Sequence, residues 1–256
     1  MTTERRVLVH RDVAALTGSV AGRFITTVVG LLDQKPVVHV VLTGGGVGTG
    51  ILRDINDSGA RDSIDWSRVH VWWGDERWVP RGHADRNDLQ AHHALLDHIP
   101  LRPENIHSFP AADDADDLDA AAISHARNLA SHAADGAAWP VFDITFLGIG
   151  PDGHIASLFP DAPGIAVTNV PVIAVRNAPK PPPERLSLTL PVINSSDRIW
   201  IALAGADKAS ALGLALAGAS TVEVPAAGAT GAQQTVFFVD RAAVADVPED
   251  LINQEY

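Results

Sequence analysis

The stretch GIGPDGH, Gly148–His154, places a carboxylate and an imidazole two residues apart in a turn rich in glycine. Imidazole is the side chain whose ordinary pKa suits proton transfer near neutrality. Asp152 beside it can orient that ring or share its proton, so His154 and Asp152 are the candidate acid–base pair. Gly148, Gly150 and Gly153 leave space for backbone N–H groups and a ligand to approach. Eleven histidines occur in the chain, so the spacing and the turn mark His154, not its residue type.

Three other short motifs have chemistry of their own. TGGGVGTG, Thr43–Gly50, offers backbone N–H groups at a helix N-terminus, a ready anion site. Read from Gly44 it lacks the last glycine of a dinucleotide fingerprint, and no Lys-Ser/Thr pair makes it a Walker A loop. GDERWVP, Gly74–Pro80, brings Asp75 and Glu76 beside Arg77, whose guanidinium can clamp a phosphate or pair with either carboxylate. GADK, Gly205–Lys208, puts a lysine near the start of a helix, where the dipole disfavours a cation unless an anion is bound with it. No HExxH or comparable ligand spacing appears, so neither a metal nor an organic cofactor is expected. His92, His93 and His98 read as surface residues of a helix.

These motifs need elements to hold them. Behind Asp12, a good N-cap, Val13, Leu16, Val20, Phe24, Val28 and Leu31 recur at helical spacing. Short apolar runs read as strands at Val37–Leu42, Val69–Trp73, Val141–Leu147, Val170–Val175, Ile199–Ala204 and Val236–Val239. Helices are expected through Ile51–Ile55, over Lys208–Ala217, and from the acidic run at Asp113, which the dipole favours at a helix start. Continuous apolar strands alternating with helices predict an α/β fold: a mostly parallel sheet with helices on both faces, in one domain over 1–256. All four motifs then fall at the carboxyl ends of strands, where such sheets bind ligands. The proline-rich Ala178–Arg185 reads as either an active-site border or a plain surface loop.

Composition sets outer limits. A net charge of −12 argues against nucleic-acid binding and requires a local cationic cluster for any anionic substrate. There is no cysteine, which removes disulfide and thiol chemistry. No signal peptide is expected at the start, and no apolar run of about 18 residues for a membrane span. The expected location is cytoplasmic, and the expected state a monomer or weak homo-oligomer.

Taken together, TGGG at Thr43–Gly46, WGDERWVP at Trp73–Pro80 with Asn87 after it, LGIGPDGHIASLFP at Leu147–Pro160, Arg185, GADK and VFFVD at Val236–Asp240 resemble the 6-phosphogluconolactonase family. That family belongs with glucosamine-6-phosphate deaminase and ribose-5-phosphate isomerase. The resemblance covers nearly the whole chain. It implies a Rossmann-like fold and hydrolysis of 6-phospho-D-glucono-1,5-lactone in the oxidative pentose phosphate pathway, without a cofactor. By this resemblance His154 is the general base on water, with Asp152 orienting it or binding sugar hydroxyls. Thr43, Gly44, Gly45, Gly46, Arg77, Arg185 and Lys208 would hold the phosphate. Asp75, Gly148, Gly150 and Gly153 would line the sugar, and Arg77 or the backbone amides of Gly148–Gly153 would stabilise the oxyanion. Thr43-Gly-Gly-Gly departs from the family's usual Ser-Gly-Gly-Ser/Thr loop. Ser157–Pro160 stands where the deaminases have an Asn-Glu-Pro type sequence, which favours lactonase over deaminase or isomerase. A non-catalytic sugar-phosphate sensor is the alternative of another class, and the retained Asp152 and His154 count against it.

Overall fold

The computed structural model describes residues 4–252. Six strands form one parallel sheet: β1 (Glu4–His10), β2 (Val38–Leu42), β3 (Val69–Trp73), β5 (Ile144–Leu147), β8 (Arg198–Leu203) and β9 (Gln234–Asp240). Their order across the sheet is β1-β9-β8-β5-β2-β3. A second, antiparallel sheet of three strands contains β4 (Asp75–Arg77), β6 (Val172–Val175) and β7 (Arg185–Leu188), in the order β4-β7-β6. The run at Val170–Val175 is therefore a strand, but it lies outside the parallel sheet. Only Val172 of its four residues is buried and the other three are half-buried, as on an edge strand and unlike the continuously buried strands of the parallel sheet. β1 was not expected from sequence, because its apolar residues sit among arginines. It pairs with β9 along its full length.

The helices are α1 (Val13–Leu32), α2 (Gly45–Asp57), α3 (Asn87–Ala94), α4 (Leu118–Ser131), α5 (Leu190–Asn194), α6 (Ala209–Leu216) and α7 (Glu249–Ile252). The carboxylate of Asp12 caps α1 by accepting from Ala15 N at 2.8 Å. Contrary to the sequence expectation, α1 has the length and apolar composition to cross a membrane. In the structure Leu16, Val20, Phe24 and Val28 form a stripe buried in the core, and Phe24 meets Phe146 of β5 at 5.8 Å between ring centroids. Val41, Trp72 and Thr145 lie side by side across β2, β3 and β5. They belong to the other face, where His125 of α4 meets Trp72. Helices thus cover both faces, as a parallel sheet requires.

The acidic run does not begin α4. Asp117 is its N-cap and only Asp119 follows in the first turn, while Asp113 and Asp114 bond the backbone and side chain of Arg81.

Strand order explains where the site lies. From β2 the chain crosses outward to β3, whereas β5 lies on the other side of β2 and is followed by β8. β2 and β5 are neighbours from which the chain departs in opposite directions. Such a reversal opens a crevice at the carboxyl ends of the two strands.

Candidate active site

Thr43 and Gly44 leave β2 at that crevice, and Gly148–His154 leave β5 beside them. The glycine-rich stretch is not a loop ahead of a helix: Gly45 already begins α2, capped by Gly44 without any side-chain hydrogen bond. The first N–H groups of α2 are thus without a side-chain cap and available to an anion. Gly45 has φ +82°, a left-handed conformation that favours glycine. Gly44 is needed for a different reason: a Cβ there would sit 1.9 Å from Oδ1 of Asn87.

In the β5 turn, Nδ1 of His154 lies 2.5 Å from Oδ1 of Asp152. With Nδ1–H donated to the carboxylate, Nε2 is left as the basic nitrogen. The ring is also held against Phe159, 4.7 Å between centroids. A Cβ on Gly150 would lie 2.0 Å from His154 Nδ1 and 2.4 Å from Asp152 Oδ1, so the pair occupies the space that glycine leaves. Burial raises the Asp152 carboxyl, but the hydrogen bond and charge of His154 outweigh it and hold its pKa at about 2. Asp152 is therefore ionised throughout the physiological range, and its stabilising effect, present above the ordinary 3.8, is lost only as pH falls toward 2. Removing the His154 side chain leaves burial opposed only by backbone hydrogen bonds. In His154→Ala the Asp152 carboxyl should titrate at clearly higher pH, measurable by carboxyl-carbon NMR; an unchanged value near 2 would show that His154 does not hold it.

The amides expected to stabilise an oxyanion are partly occupied. Gly150 N donates to His154 O and Gly153 N to Gly150 O, both at 2.9 Å, which rigidifies the turn and removes both donors. Arg77 also differs from the simplest expectation, since it pairs with neither Asp75 nor Glu76. Its Nη1 donates to Asp85 O at 3.0 Å and to Asn87 Oδ1. The Glu76 carboxylate instead accepts from the backbone N–H groups of Arg77, Asn87 and Asp88 at 2.7–2.9 Å, capping α3 and fixing the frame that holds Arg77.

Asp75 is 8% exposed and accepts from Ser157 Oγ at 2.6 Å, with Arg185 Nη1 at 3.9 Å. It lines the cavity while bracing its wall. Ser157, from the SLFP sequence, is thus engaged in the wall, and Leu158 and Phe159 are buried in the core. Arg185 begins β7, buried, donating to the carbonyls of Pro182 at 3.1 Å and Lys180 at 2.9 Å. Those bonds fold Ala178–Arg185 over the crevice as its border, the first of its two expected readings. Lys208 ends a short turn that starts at Gly205, whose N–H donates to Asp240 Oδ1 at 3.0 Å. Its ammonium lies 3.3 Å from Asp207.

One cavity of about 280 Å³ joins these parts: Thr43, Gly44, Gly45, Asp75, Arg77, Gly148, Gly150, His154, Arg185 and Lys208 all line it. A contiguous recess of about 180 Å³ reaches Gly46 under α2, again beside Lys208. Of the expected residues, Asp152 and Gly153 shape the turn behind His154 and are not cavity lining. Asn87, Ile149, Ala156, Lys180 and Pro181 line it without having been singled out as site residues. Asn87 stands next to the GDER motif only in space, and proximity to Gly44 cannot be read from spacing. Four cationic side chains, Arg77, Lys180, Arg185 and Lys208, therefore meet in one cavity of a chain with net charge −12. A larger hollow of about 440 Å³ adjoins at Arg77, lined also by Arg53, Asp85, Gln90 and His93, where Asp85 pairs with His83 and not with His93. His92 and His98 lie at the surface, His92 bonded to Asp97.

Comparison with known proteins gives the family. The family described as glucosamine-6-phosphate isomerases/6-phosphogluconolactonase matches residues 11–238. The chain is 45% identical to the 6-phosphogluconolactonase of Streptomyces coelicolor over 98% of both chains. It is 43% identical to that of Mycobacterium leprae over 94% of this chain and 98% of the relative. Among solved structures, the 6-phosphogluconolactonase of Thermotoga maritima superposes with a TM-score of 0.81 at 25% identity, covering 93% of this chain and all of the other. The chain belongs to the glucosamine-6-phosphate isomerase/6-phosphogluconolactonase family, on its 6-phosphogluconolactonase side.

Proposed function

We propose that this cavity hydrolyses 6-phospho-D-glucono-1,5-lactone to 6-phospho-D-gluconate, with His154 as the general base. The observation that supports this most directly is the Asp152–His154 pair, 2.5 Å apart, opening on the cavity that Lys208 and the uncapped start of α2 also line. A base and an anion site lining one small cavity match a substrate that carries both a reacting carbonyl and a phosphate. Nε2 of His154 takes a proton from water as the water oxygen bonds to the lactone carbonyl carbon. The carbonyl oxygen becomes an oxyanion, stabilised by Arg77, whose Nη2 remains available. The tetrahedral species then expels the ring oxygen, which takes the proton back from the imidazolium. The products are a carboxylic acid, which ionises, and a free hydroxyl. Asp152 stays charged and steadies the imidazolium. No step needs a metal or an organic cofactor.

The phosphate assignment has its own test. Lys208 touches the remote end of the substrate, so Lys208→Ala should raise KM far more than it lowers kcat. Charge-assisted hydrogen bonds contribute about 1.5–3 kcal/mol, or roughly 10–100-fold. Wild-type protein should prefer the phosphorylated lactone over gluconolactone by at least that factor. Equal rates on both, corrected for spontaneous hydrolysis, would refute the phosphate site.

A further inference from the structure

Away from the catalytic cavity, four imidazoles gather on the face of the sheet under α4. His39 and His70 are register partners on β2 and β3. His107 follows the turn at Pro103–Asn105 and is tied to β3 by its N–H, which donates to Val71 O at 2.9 Å. His132 is the C-cap of α4. We propose that His70, His107 and His132 form a binding site for one divalent transition-metal ion of the zinc class, which clamps β3, the 103–107 segment and the end of α4 together.

The ligand nitrogens of these three residues all lie within 4.8 Å of one another. Two nitrogens on a tetrahedral zinc, each about 2.0–2.1 Å from the metal, stand roughly 3.4 Å apart. His70 Nδ1 and His107 Nε2 lie 2.9 Å apart and share a hydrogen bond, whose proton the ion would have to displace. Closing the set takes side-chain shifts on the order of 1 Å, within the reach of ring rotation.

The tautomer of His132 favours binding. Nδ1 of His132 lies 3.0 Å from the carbonyl oxygen of Asn128, an acceptor, so Nδ1 carries the proton and Nε2 a lone pair. A histidine whose other nitrogen donates to a backbone carbonyl is the usual support of a metal ligand. The fourth imidazole, His39, is not a ligand: its Nδ1 accepts from Trp72 Nε1 at 3.1 Å.

His70 and His132 are half-exposed while His107 is buried, so the cluster opens to solvent on one side, giving an ion an entry path and a water as fourth ligand. The carboxylate of Glu104 acts electrostatically on His70 and offsets part of the ion's charge. With three imidazoles and no thiolate the donor set suits Zn²⁺, Ni²⁺, Co²⁺ or Cu²⁺ and not Mg²⁺ or Ca²⁺. Stacking on Trp72 at 3.8 Å and the hydrogen bond to His70 account for the placing of His107, but not for His132 turning onto the same point from a third segment.

The site is remote from the chemistry. His70 lies three residues before the end of β3, about 10 Å back along the strand from the end where the cavity opens. An ion there should stabilise the fold without altering turnover.

The test uses the full chain after dialysis against a chelator, titrated with Co²⁺ as a spectroscopic probe and with Zn²⁺ by calorimetry. One equivalent of each should bind, Co²⁺ with the intense visible bands of a four-coordinate site. Zn²⁺ should raise Tm by several degrees and leave kcat unchanged. His132→Ala, at a half-exposed helix end, should abolish the spectrum and the Tm shift, as should His107→Gln if it folds. His154→Ala should keep both. Absence of binding at 100-micromolar ion would overturn the proposal. So would binding that survives His132→Ala or disappears in His154→Ala.

Discussion

In His154→Ala, turnover of the phosphorylated lactone is expected to fall by roughly 10²–10⁴-fold, the usual contribution of a positioned acid–base group. The fold survives, because the residue sits in a turn at the crevice and not within a strand. Affinity for the product 6-phosphogluconate should change little, since the proposed phosphate site is at Lys208 and the start of α2. Asp152→Asn is milder. It removes the charge that steadies the imidazolium but leaves a group able to accept from Nδ1–H. The pH profile separates the roles: Asp152, held at about 2, cannot produce a limb in the neutral range, so any such limb in the wild type should vanish in His154→Ala. Near-normal activity in that variant, measured above the spontaneous background, would remove histidine from the reaction.

Gly150→Ala should be almost as damaging, although it removes no functional group. The added methyl would stand 2.0 Å from His154 Nδ1 and 2.4 Å from Asp152 Oδ1, well inside van der Waals contact. Either the imidazole or the carboxylate must leave, and the 2.5 Å bond between them breaks. A base displaced by about 1 Å can lose on the order of 10²-fold in rate. The expected result is kcat down by about that factor, with KM and Tm changed far less. A fall in Tm matching the loss of activity would mean that the methyl disrupts the core instead of the pair. Wild-type kcat would mean that the pair is not needed as drawn.

Both variants concern a turn that was legible in the sequence, for reasons that are local. An apolar run followed by glycines and then Asp-x-His specifies a buried strand ending in an open turn, and backbone sterics act over a few residues. The same local physics made β2, β3, β5, β8 and β9 readable from apolar runs, and α1 from its period and its Asp12 cap. The overall charge already demanded a cationic cluster for an anionic substrate.

Other features depended on segments far apart in the chain. β1 is polar enough to pass for a tail until β9 supplies its hydrogen-bonding partner. Val172–Val175 has the composition of a parallel strand, yet pairing with β7 places it in the small sheet. The partner of Arg77 could not be chosen from sequence, because Asp75 and Glu76 were its obvious candidates. Ser157 and the capping of α3 claimed those two carboxylates first. The three converging histidines at 70, 107 and 132 escaped any search for ligand spacing. Their nitrogens meet only because β3, the 103–107 segment and α4 pack together, and packing across such separations is set by the whole core and not by any window of sequence.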